Sequence, residues 1–229
     1  MEQNSIINFN EPLVPRYPKI QTNLVYAFKD GHPLTLNLIT PPVLPNVKAH
    51  FPLLIYVPDV DEHNMVKIDE RFAQMLEIAK RGYAVALISY RTNTDVTAMV
   101  KDIHSATRFL LDHAFKYKLD PYRYLLFGEG LGGYLSSLSI LDQGQQRAND
   151  EDVRRSPLRY KGCLLLETSL TPHPFSGPFL SELLLQNTQK LPPLLILNGT
   201  ADNTLTDKQA TELLSTIQSR GSEVSLFNF

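Results

Sequence analysis

The sequence predicts an α/β domain with an eight-stranded, mostly parallel sheet and helices on both faces. From Leu53 onward, short apolar runs alternate with longer segments whose apolar residues recur at helical spacing, which is typical of a parallel sheet. The runs are continuously apolar, as expected of strands that are buried on both faces. The alternation is organised around residues 124–138, where an apolar run leads into a glycine-rich turn and then into a helix.

Length and composition favour a single globular domain. The 229 residues are enough to bury one full core, and a hydrophobic share of 43% with a charged share of 20% is ordinary for such a protein. The formal net charge of −2 gives no reason to expect nucleic acid or an anionic membrane as a partner. We expect an N-terminal arm over residues 1–22 and one domain over residues 23–229.

No targeting, membrane or metal-binding signal is predicted. The N-terminal residues lack the basic and then apolar pattern of a signal peptide, and no apolar run approaches the ~20 residues that span a bilayer. Cys163 is the only cysteine and no histidine pair has metal-ligand spacing, so neither an internal disulfide nor a zinc site is predicted. We therefore expect a cytoplasmic protein without a cofactor or a metal.

The N-terminal half predicts four strands and two helices. The strands are expected at residues 24–28, 34–39, 53–57 and 84–90. Asp30-Gly31 between the first two is a hairpin signal, so these two strands would form an antiparallel edge of the sheet. One helix is expected to end before Gly82, and a long amphipathic helix is expected over about residues 95–117, before Asp120-Pro121.

The C-terminal half predicts four more strands. They are expected at residues 124–127, 163–166, 194–197 and 224–227. The helix after the first of them would reach about Leu141, residues 143–156 predict a surface loop, and a short helix is expected around residues 179–185. Thr206 and Gln209 have the spacing of a capping box, which predicts the start of a last helix.

Three interpretations of the glycine-rich turn are open at this point. Gly128, Gly130 and Gly133 match the dinucleotide-binding fingerprint Gly-x-Gly-x-x-Gly. That fingerprint belongs at the start of a nucleotide-binding unit, whereas four predicted strands precede this turn. Gly128 and Gly132 also match the nucleophile elbow Gly-x-Ser-x-Gly, except that Gly130 stands where the serine would be. In the third interpretation the glycines serve packing alone. In each case we expect the helix to pass very close to the strand it leaves, where a Cβ would be in the way.

The elbow interpretation accounts for more of the chain. The relevant motifs follow in this order: residues 53–57, Ser89-Tyr90-Arg91, residues 95–117, residues 119–123, residues 128–135 and residues 198–202. With these motifs the chain resembles the small esterases and lipases of the α/β-hydrolase superfamily, such as acetyl and feruloyl esterases and carboxylesterase-like proteins. The resemblance covers about residues 24–229 and implies the α/β-hydrolase fold, with the elbow after the fifth of eight strands.

The resemblance also implies a catalytic site whose triad is incomplete here. In the family a serine attacks an ester carbonyl, a histidine takes its proton, and an acidic residue orients the histidine. The serine position is Gly130, and the acid position is Asp202, for which a turn residue that caps the next helix is the other interpretation. The histidine would follow the eighth strand, where the given sequence stops at Phe229.

The oxyanion hole that the resemblance implies is altered as well. Its glycine-rich loop would follow the third strand, where this chain has Asp59 and Val60 in a segment without glycine. A carboxylate there would repel a developing oxyanion, and each lost donor costs roughly 10²–10³ in rate. The other donor would be the backbone N–H of Leu131, beside Glu129 and Gly130, and it could be retained.

Other side chains offer no obvious substitute. Three serines on the helix after the turn are expected to be buried or helix-face hydroxyls: Ser136, Ser137 and Ser139. Two histidines on predicted loops could border a pocket, and two on the long helix are expected to be surface or packing residues: His63 and His173, then His104 and His113.

We therefore expect an esterase-like α/β-hydrolase that is inactive as it stands, with nucleophile, oxyanion loop and histidine lost by separate changes. Glycine also relieves the backbone strain of an elbow, which costs about 1–3 kcal/mol. The expected role is a scaffold that binds a small acyl or ester-like ligand above Gly130, a protein partner or a second copy of itself. The alternatives are a carboxylic ester hydrolase represented by a mutated and truncated chain, and a dinucleotide-binding protein.

Overall fold

One sheet forms the centre of the protein. The computed structural model describes residues 17–43, 48–143, 157–168, 171–172, 175–186, 189–199 and 207–229. The strands are β1 (Lys19–Lys29), β2 (His32–Thr40), β3 (Phe51–Val57), β4 (Ala84–Ile88), β5 (Leu119–Glu129), β6 (Cys163–Leu166), β7 (Leu194–Asn198) and β8 (Val224–Asn228). The helices are α1 (Phe72–Lys80), α2 (Val96–Asp112), α3 (Ala114–Tyr117), α4 (Leu131–Leu141), α5 (Leu180–Gln186) and α6 (Asp207–Gln218).

The sheet is mostly parallel, as predicted. Its strand order is β1-β2-β4-β3-β5-β6-β7-β8, with antiparallel pairing of β1 with β2 and of β2 with β4 and parallel pairing elsewhere in the described strands. Asp30 (φ 52°) and Gly31 (φ 78°) both take positive φ between β1 and β2, which confirms the predicted hairpin turn. β3 and β5 are central neighbours, so the turns that follow them meet at the middle of the carboxyl edge.

Apolar clusters lie on both faces of the sheet. Tyr56 of β3 packs with Met75 of α1 in the smaller cluster. The next residue toward the start of β3, Ile55, belongs to the larger cluster on the other face, together with Met99 of α2 and Leu135 of α4. Successive side chains of a strand point to opposite faces. β3 therefore contributes to both layers and delivers Tyr56 to the face that α1 covers.

Two strands begin earlier than the sequence suggested. β1 begins at Lys19, so residues 19–22 of the expected N-terminal arm belong to the sheet. β5 begins at Leu119, and its pairing with β3 is irregular across residues 120–123. Pro121 lies in that interval and lacks the N–H that a ladder needs, which is why the apolar pattern alone indicated the later start.

The long helix predicted over residues 95–117 is two helices. Asp95 caps α2, since its carboxylate accepts a hydrogen bond from the Ala98 amide at 2.9 Å. The helix is interrupted at His113, which takes φ −101° and ψ 15°. Its ring Nδ1 lies 2.8 Å from the Phe109 carbonyl oxygen, which also accepts the His113 amide at 3.1 Å.

Candidate functional site

The predicted strand–turn–helix unit lies at the centre of the carboxyl edge. β5 ends at Glu129, Gly130 follows with φ 53° and ψ −119°, and α4 begins at Leu131. The Gly130 amide donates to the Leu166 carbonyl of β6 at 3.1 Å, which ties the turn to the neighbouring strand. Since positive φ costs little only for glycine, the chain keeps the sharp turn without the strain another residue would carry. We call residues 128–132 the elbow.

Close packing explains the other glycines of this unit. A Cβ on Gly132 would lie 2.5 Å from the Pro58 carbonyl oxygen, and one on Gly133 would lie 2.9 Å from Cβ of Thr168. A Cβ on Gly128 would lie 2.5 Å from Cα of Gly133. Side chains at these positions would push α4 away from the strands. The expectation that this helix passes very close to the strand it leaves is therefore confirmed.

The carboxylate of Asp59 occupies the place of the missing serine side chain. A Cβ built on Gly130 would lie within 2.5 Å of Cγ and of both carboxylate oxygens of Asp59. One of those oxygens, Oδ1, accepts a hydrogen bond from the backbone N–H of Leu131 at 2.9 Å. This N–H is the oxyanion donor that we expected to be retained. The donor is present, and a carboxylate of the chain itself binds it.

This contact links two differences from the nucleophile-elbow pattern, at positions 59 and 130, that look separate in the sequence. Gly130 leaves the room that the Asp59 carboxylate fills, and any side chain at position 130 would collide with that carboxylate. Conversely, a small residue at position 59 would leave the Leu131 amide without this acceptor. Asp59 and Gly130 are therefore sterically complementary, and the expectation of separate changes stays a prediction.

Asp59 belongs to the segment between β3 and α1, residues 58–71, which we call the Asp59 loop. The Asp59 carbonyl accepts a hydrogen bond from the Lys67 amide at 2.9 Å, and Val60 forms an isolated antiparallel bridge with Val66. Val60 packs against the larger apolar cluster. Of the two loop residues that we predicted for the oxyanion hole, Asp59 places a polar group at the elbow and Val60 contributes to the core.

Tyr90 fixes the start of this loop. Its hydroxyl donates to the Pro58 carbonyl at 2.8 Å, and its side chain is 4% exposed. Burial raises the pKa of Tyr90, and the nearby negative charge of Asp59 raises it further. The hydroxyl therefore stays protonated and keeps donating, which holds the backbone next to Asp59.

Glu129, the predicted pocket residue beside Gly130, is buried in a polar cluster. Its carboxylate accepts a hydrogen bond from the Tyr56 hydroxyl, and Arg71 donates to Oε1 from Nε at 2.9 Å and from Nη2 at 2.5 Å. The Glu129 side chain is 9% exposed and that of Arg71 is 32% exposed. Burial, followed by the bond to Glu129, raises the pKa of Tyr56, and the bond to Glu129 raises the pKa of Arg71. We call these three residues the Glu129 cluster.

Sequence reasoning missed both partners of Glu129. In the sequence, Tyr56 is one residue of a continuous apolar run, and Arg71 is a polar residue before a predicted helix. Arg71 is 58 positions from Glu129, so their contact depends on the path of the Asp59 loop. The available signal was weak: a tyrosine with a polar tip at the end of a buried strand needs a partner for its hydroxyl.

The structure describes only some of the other residues that the sequence analysis considered for the site. Asp202 and His173 lie outside the described residues. His63 is on the Asp59 loop, but its side chain is 76% exposed and pairs at 3.8 Å with the neighbouring Glu62. His104 is buried on α2, and His113 lies at the end of that helix.

The three serine hydroxyls of α4 and the thiol of Cys163 are buried within packed elements. Ser137 and Ser139 donate at 2.9 Å to carbonyl oxygens four residues earlier in α4. Ser136 is wholly buried, and a Cβ on Gly128 would lie 2.6 Å from its Oγ. Burial raises the pKa of Cys163, which keeps it a thiol. The expectation that these serines are packing residues is confirmed, and none of the four is poised as a nucleophile.

The elbow thus presents an acceptor where ester hydrolysis needs a nucleophile and a free donor. The same contact disfavours dinucleotide binding. A pyrophosphate would accept hydrogen bonds from the amides at the start of α4, and the Leu131 amide already donates to Asp59.

Within the described residues, no group of three or more His, Cys, Asp or Glu could hold a metal ion. No helix in the described ranges has both the length and the apolar character to cross a membrane.

Comparison with family models connects this geometry to known proteins. The model of the family described as BD-FAE matches residues 43–161, which are 119 of the 229 residues. The matched segment begins before β3 and ends just before β6, so it contains the Asp59 loop, the elbow and α4.

A curated relative extends the similarity beyond that segment. The chain is 25% identical over 182 residues to a protein of Arabidopsis thaliana described as a probable isoprenylcysteine alpha-carbonyl methylesterase. The match covers 66% of this chain and 38% of the relative. The chain therefore spans well under half the length of that protein.

Solved structures of esterase 2 from Thermogutta terrifontis share the architecture. The native form, described as a thermophilic esterase, superposes with a TM-score of 0.73 at 20% identity over 95% of this chain and 82% of that one. The form phosphorylated by paraoxon gives a TM-score of 0.76 at 20% identity, covering 95% and 84% of the two chains. At this identity the likeness concerns the fold, and it confirms the predicted α/β-hydrolase fold.

Proposed function

Because the chain belongs to the BD-FAE family of the α/β-hydrolase superfamily, we propose that it is an esterase-like protein whose elbow does not catalyse ester hydrolysis. One observation carries this proposal: the Asp59 carboxylate stands where the serine side chain would be and accepts the Leu131 amide. A glycine at position 130 has no nucleophile, and removal of the serine from a triad enzyme lowers kcat by about 10⁶. Because Asp59 also occupies one oxyanion donor, the rate would fall by a further factor of roughly 10²–10³.

The proposed role is that of a binding scaffold. A small acyl or ester-like ligand above Gly130 is the first candidate, since the family's substrates bind at that edge of the sheet. A protein partner or a second copy of the chain is the other candidate. We place the protein in the cytoplasm, an assignment supported by its single, buried and unpaired cysteine, Cys163.

An esterase assay tests the proposal. The purified protein is incubated with p-nitrophenyl acetate and p-nitrophenyl butyrate, and release of p-nitrophenol is compared with the buffer rate. We expect no turnover above buffer. Turnover that disappears on Asp202→Asn, His63→Ala or His173→Ala would overturn the proposal, because it would show that a triad acts through residues other than position 130.

An active ester hydrolase is the second candidate, and a specific observation favours it. The chain spans only 38% of the length of the Arabidopsis relative, so residues beyond those given would supply the missing histidine in this case. The test is to read the gene past residue 229, express whatever follows, and combine it with Asp59→Gly and Gly130→Ser. Esterase activity in that protein supports the second candidate, and continued inactivity supports the first.

A further inference from the structure

The Asp59 loop is attached to the elbow at both of its ends. At the start of the loop, Asp59 Oδ1 accepts the Leu131 amide at 2.9 Å. At the end of the loop, Arg71 donates two hydrogen bonds to Glu129 at 2.5 and 2.9 Å. Leu131 and Glu129 are the residues on either side of Gly130. Both contacts therefore converge on the same turn.

Arg71 is an unusual residue for its place in the fold. It is the N-cap of α1, with φ −102° and ψ 15°, and its side chain makes no capping hydrogen bond. Ser, Thr, Asp and Asn are preferred there because their oxygens accept the free amides, and a cation faces the positive end of the helix dipole. The Arg71 carbonyl accepts the Met75 amide at 3.0 Å, but its side chain makes no contact that stabilises α1. The contact with Glu129 therefore accounts for an arginine at this position.

The stretch between the two attachments closes on itself. The Asp59 carbonyl and the Lys67 amide hydrogen-bond at 2.9 Å, which makes residues 59–67 a compact excursion. The Asp61 carboxylate accepts the amides of His63 and Met65 at 2.9 and 2.8 Å and shapes its tip. At that tip the Met65 side chain is 63% exposed. The exposed tip buries little apolar surface, whereas Val60 and Val66 at its base pack against the larger apolar cluster. The polar contacts at the two ends are what join the loop to the elbow.

We propose that the Glu129 cluster is a clasp that keeps the Asp59 carboxylate in the elbow, which makes the Asp59 loop a plug in the space above Gly130. When Arg71 and Glu129 separate, the end of the loop is released and Asp59 leaves the Leu131 amide, opening the space above Gly130. Arg71 is a positioning residue here, because it acts through Glu129 and the loop. The inference rests on the proposed function only in treating that space as an unused ester site.

Hydrogen exchange at the Leu131 amide measures the opening directly. The full chain is labelled with ¹⁵N, and exchange of Leu131 is compared with that of Ile55 in the centre of β3. We expect Leu131 to be less protected than Ile55 already in wild type, because the loop opens without unfolding of the sheet, and Arg71→Met to accelerate Leu131 at least tenfold. Glu129→Gln retains an oxygen for the hydroxyl and the guanidinium, so an intermediate acceleration is expected. Lys67→Met is the matched control, since it removes the 3.4 Å pair with Glu70 within the same loop and leaves the Leu131 rate unchanged.

Two results would overturn the proposal. If Leu131 and Ile55 are equally protected in wild type and in both cluster variants, Leu131 opens only when the whole protein unfolds, and the cluster does not hold a plug. If neither variant changes the Leu131 rate, other contacts keep Asp59 in place. Should Arg71→Met fail to fold, Glu129→Gln decides alone. Exchange does not depend on ester turnover, so this test and the esterase assay can fail separately.

Discussion

Two carboxylates flank Gly130, and the protein holds them in opposite ways. Glu129 is 9% exposed at its side chain and is neutralised by Arg71, with a further hydrogen bond from Tyr56. Asp59 is half-buried, and the hydrogen bond to its carboxylate in the described structure comes from a single backbone N–H, that of Leu131. One carboxylate is therefore part of the framework, and the other lies in the site against a single donor.

The difference separates the backbone of the elbow from the side chain that fills it. The turn, its glycines and the start of α4 form a sharp strand-to-helix connection. The Asp59 loop places a carboxylate on the Leu131 amide of that connection. The comparison predicts that changes to the Glu129 cluster lower the stability of the fold, whereas changes to Asp59 alter which side chains or ligands fit at the elbow.

The largest effect is expected from Arg71→Met. This change leaves the buried Glu129 carboxylate without its cation, and breaking a buried pair from one side costs about 3 kcal/mol or more in the free energy of unfolding. Urea denaturation measures the loss. Lys80→Met is the matched control, because it removes an exposed pair with Glu77 and should cost under about 1 kcal/mol. Equal losses for the two variants would show that Glu129 does not depend on Arg71.

The next effect concerns position 130. Gly130→Ser combines backbone strain with a collision against the Asp59 carboxylate. We expect it to lower the free energy of unfolding by about 2 kcal/mol or more. Asp59→Gly should relieve the collision, so the double variant should be more stable than the two single losses predict, by about 1 kcal/mol.

Gly31→Ser separates strain from collision in that experiment. Gly31 also has positive φ (78°), but a Cβ there meets nothing within 4 Å. The loss in the free energy of unfolding that Gly31→Ser causes should therefore be the same with and without Asp59→Gly. Additive losses for Gly130→Ser and Asp59→Gly would mean that the carboxylate does not fill the serine position.

A smaller effect is expected from Tyr56→Phe. At pH 8 the change removes one hydrogen bond to a buried carboxylate, which should lower the free energy of unfolding by about 1.5 kcal/mol. Because the pKa of Tyr56 is raised in the folded state, the folded form keeps the proton that the unfolded form loses above about pH 10. The hydroxyl's contribution is therefore complete below about pH 10 and falls by about 1.4 kcal/mol per pH unit above it.

The measurement is urea denaturation of wild type and Tyr56→Phe at several pH values between 8 and 11. Wild type should lose stability more steeply than Tyr56→Phe above about pH 10. Tyr122→Phe, at a residue that is 78% exposed, serves as the control and should follow wild type. Parallel pH profiles for wild type and Tyr56→Phe would contradict the burial of this hydroxyl against Glu129.

Much of the fold could be predicted from the sequence because its signals are local. Continuous apolar runs marked the buried strands, Asp30-Gly31 marked the hairpin, and the glycines marked the close approach of α4. Boundaries were less accurate where the backbone departs from the helix without a change in the apolar pattern, as at His113 with φ −101° and ψ 15°.

The site was only partly predictable, because its decisive contacts join distant segments. Gly130, Asp59 and Leu131 were each identified, but Asp59 is 72 positions from Leu131, and no local pattern shows that their atoms meet. Repulsion of an oxyanion by Asp59 was expected, whereas its position in place of the serine was not. Arg71 was missed for the same reason, since its importance depends on where the loop returns to the sheet.

The Leu131 amide gives the most direct test of the central claim, that Asp59 occupies the elbow. In a ¹⁵N-labelled sample, an amide proton bound to a carboxylate resonates downfield, and Asp59→Ala should move the Leu131 proton clearly upfield. Glu62→Gln, at a side chain of the same loop that is 87% exposed, should leave it in place. A Leu131 amide proton that does not move on Asp59→Ala would contradict the account.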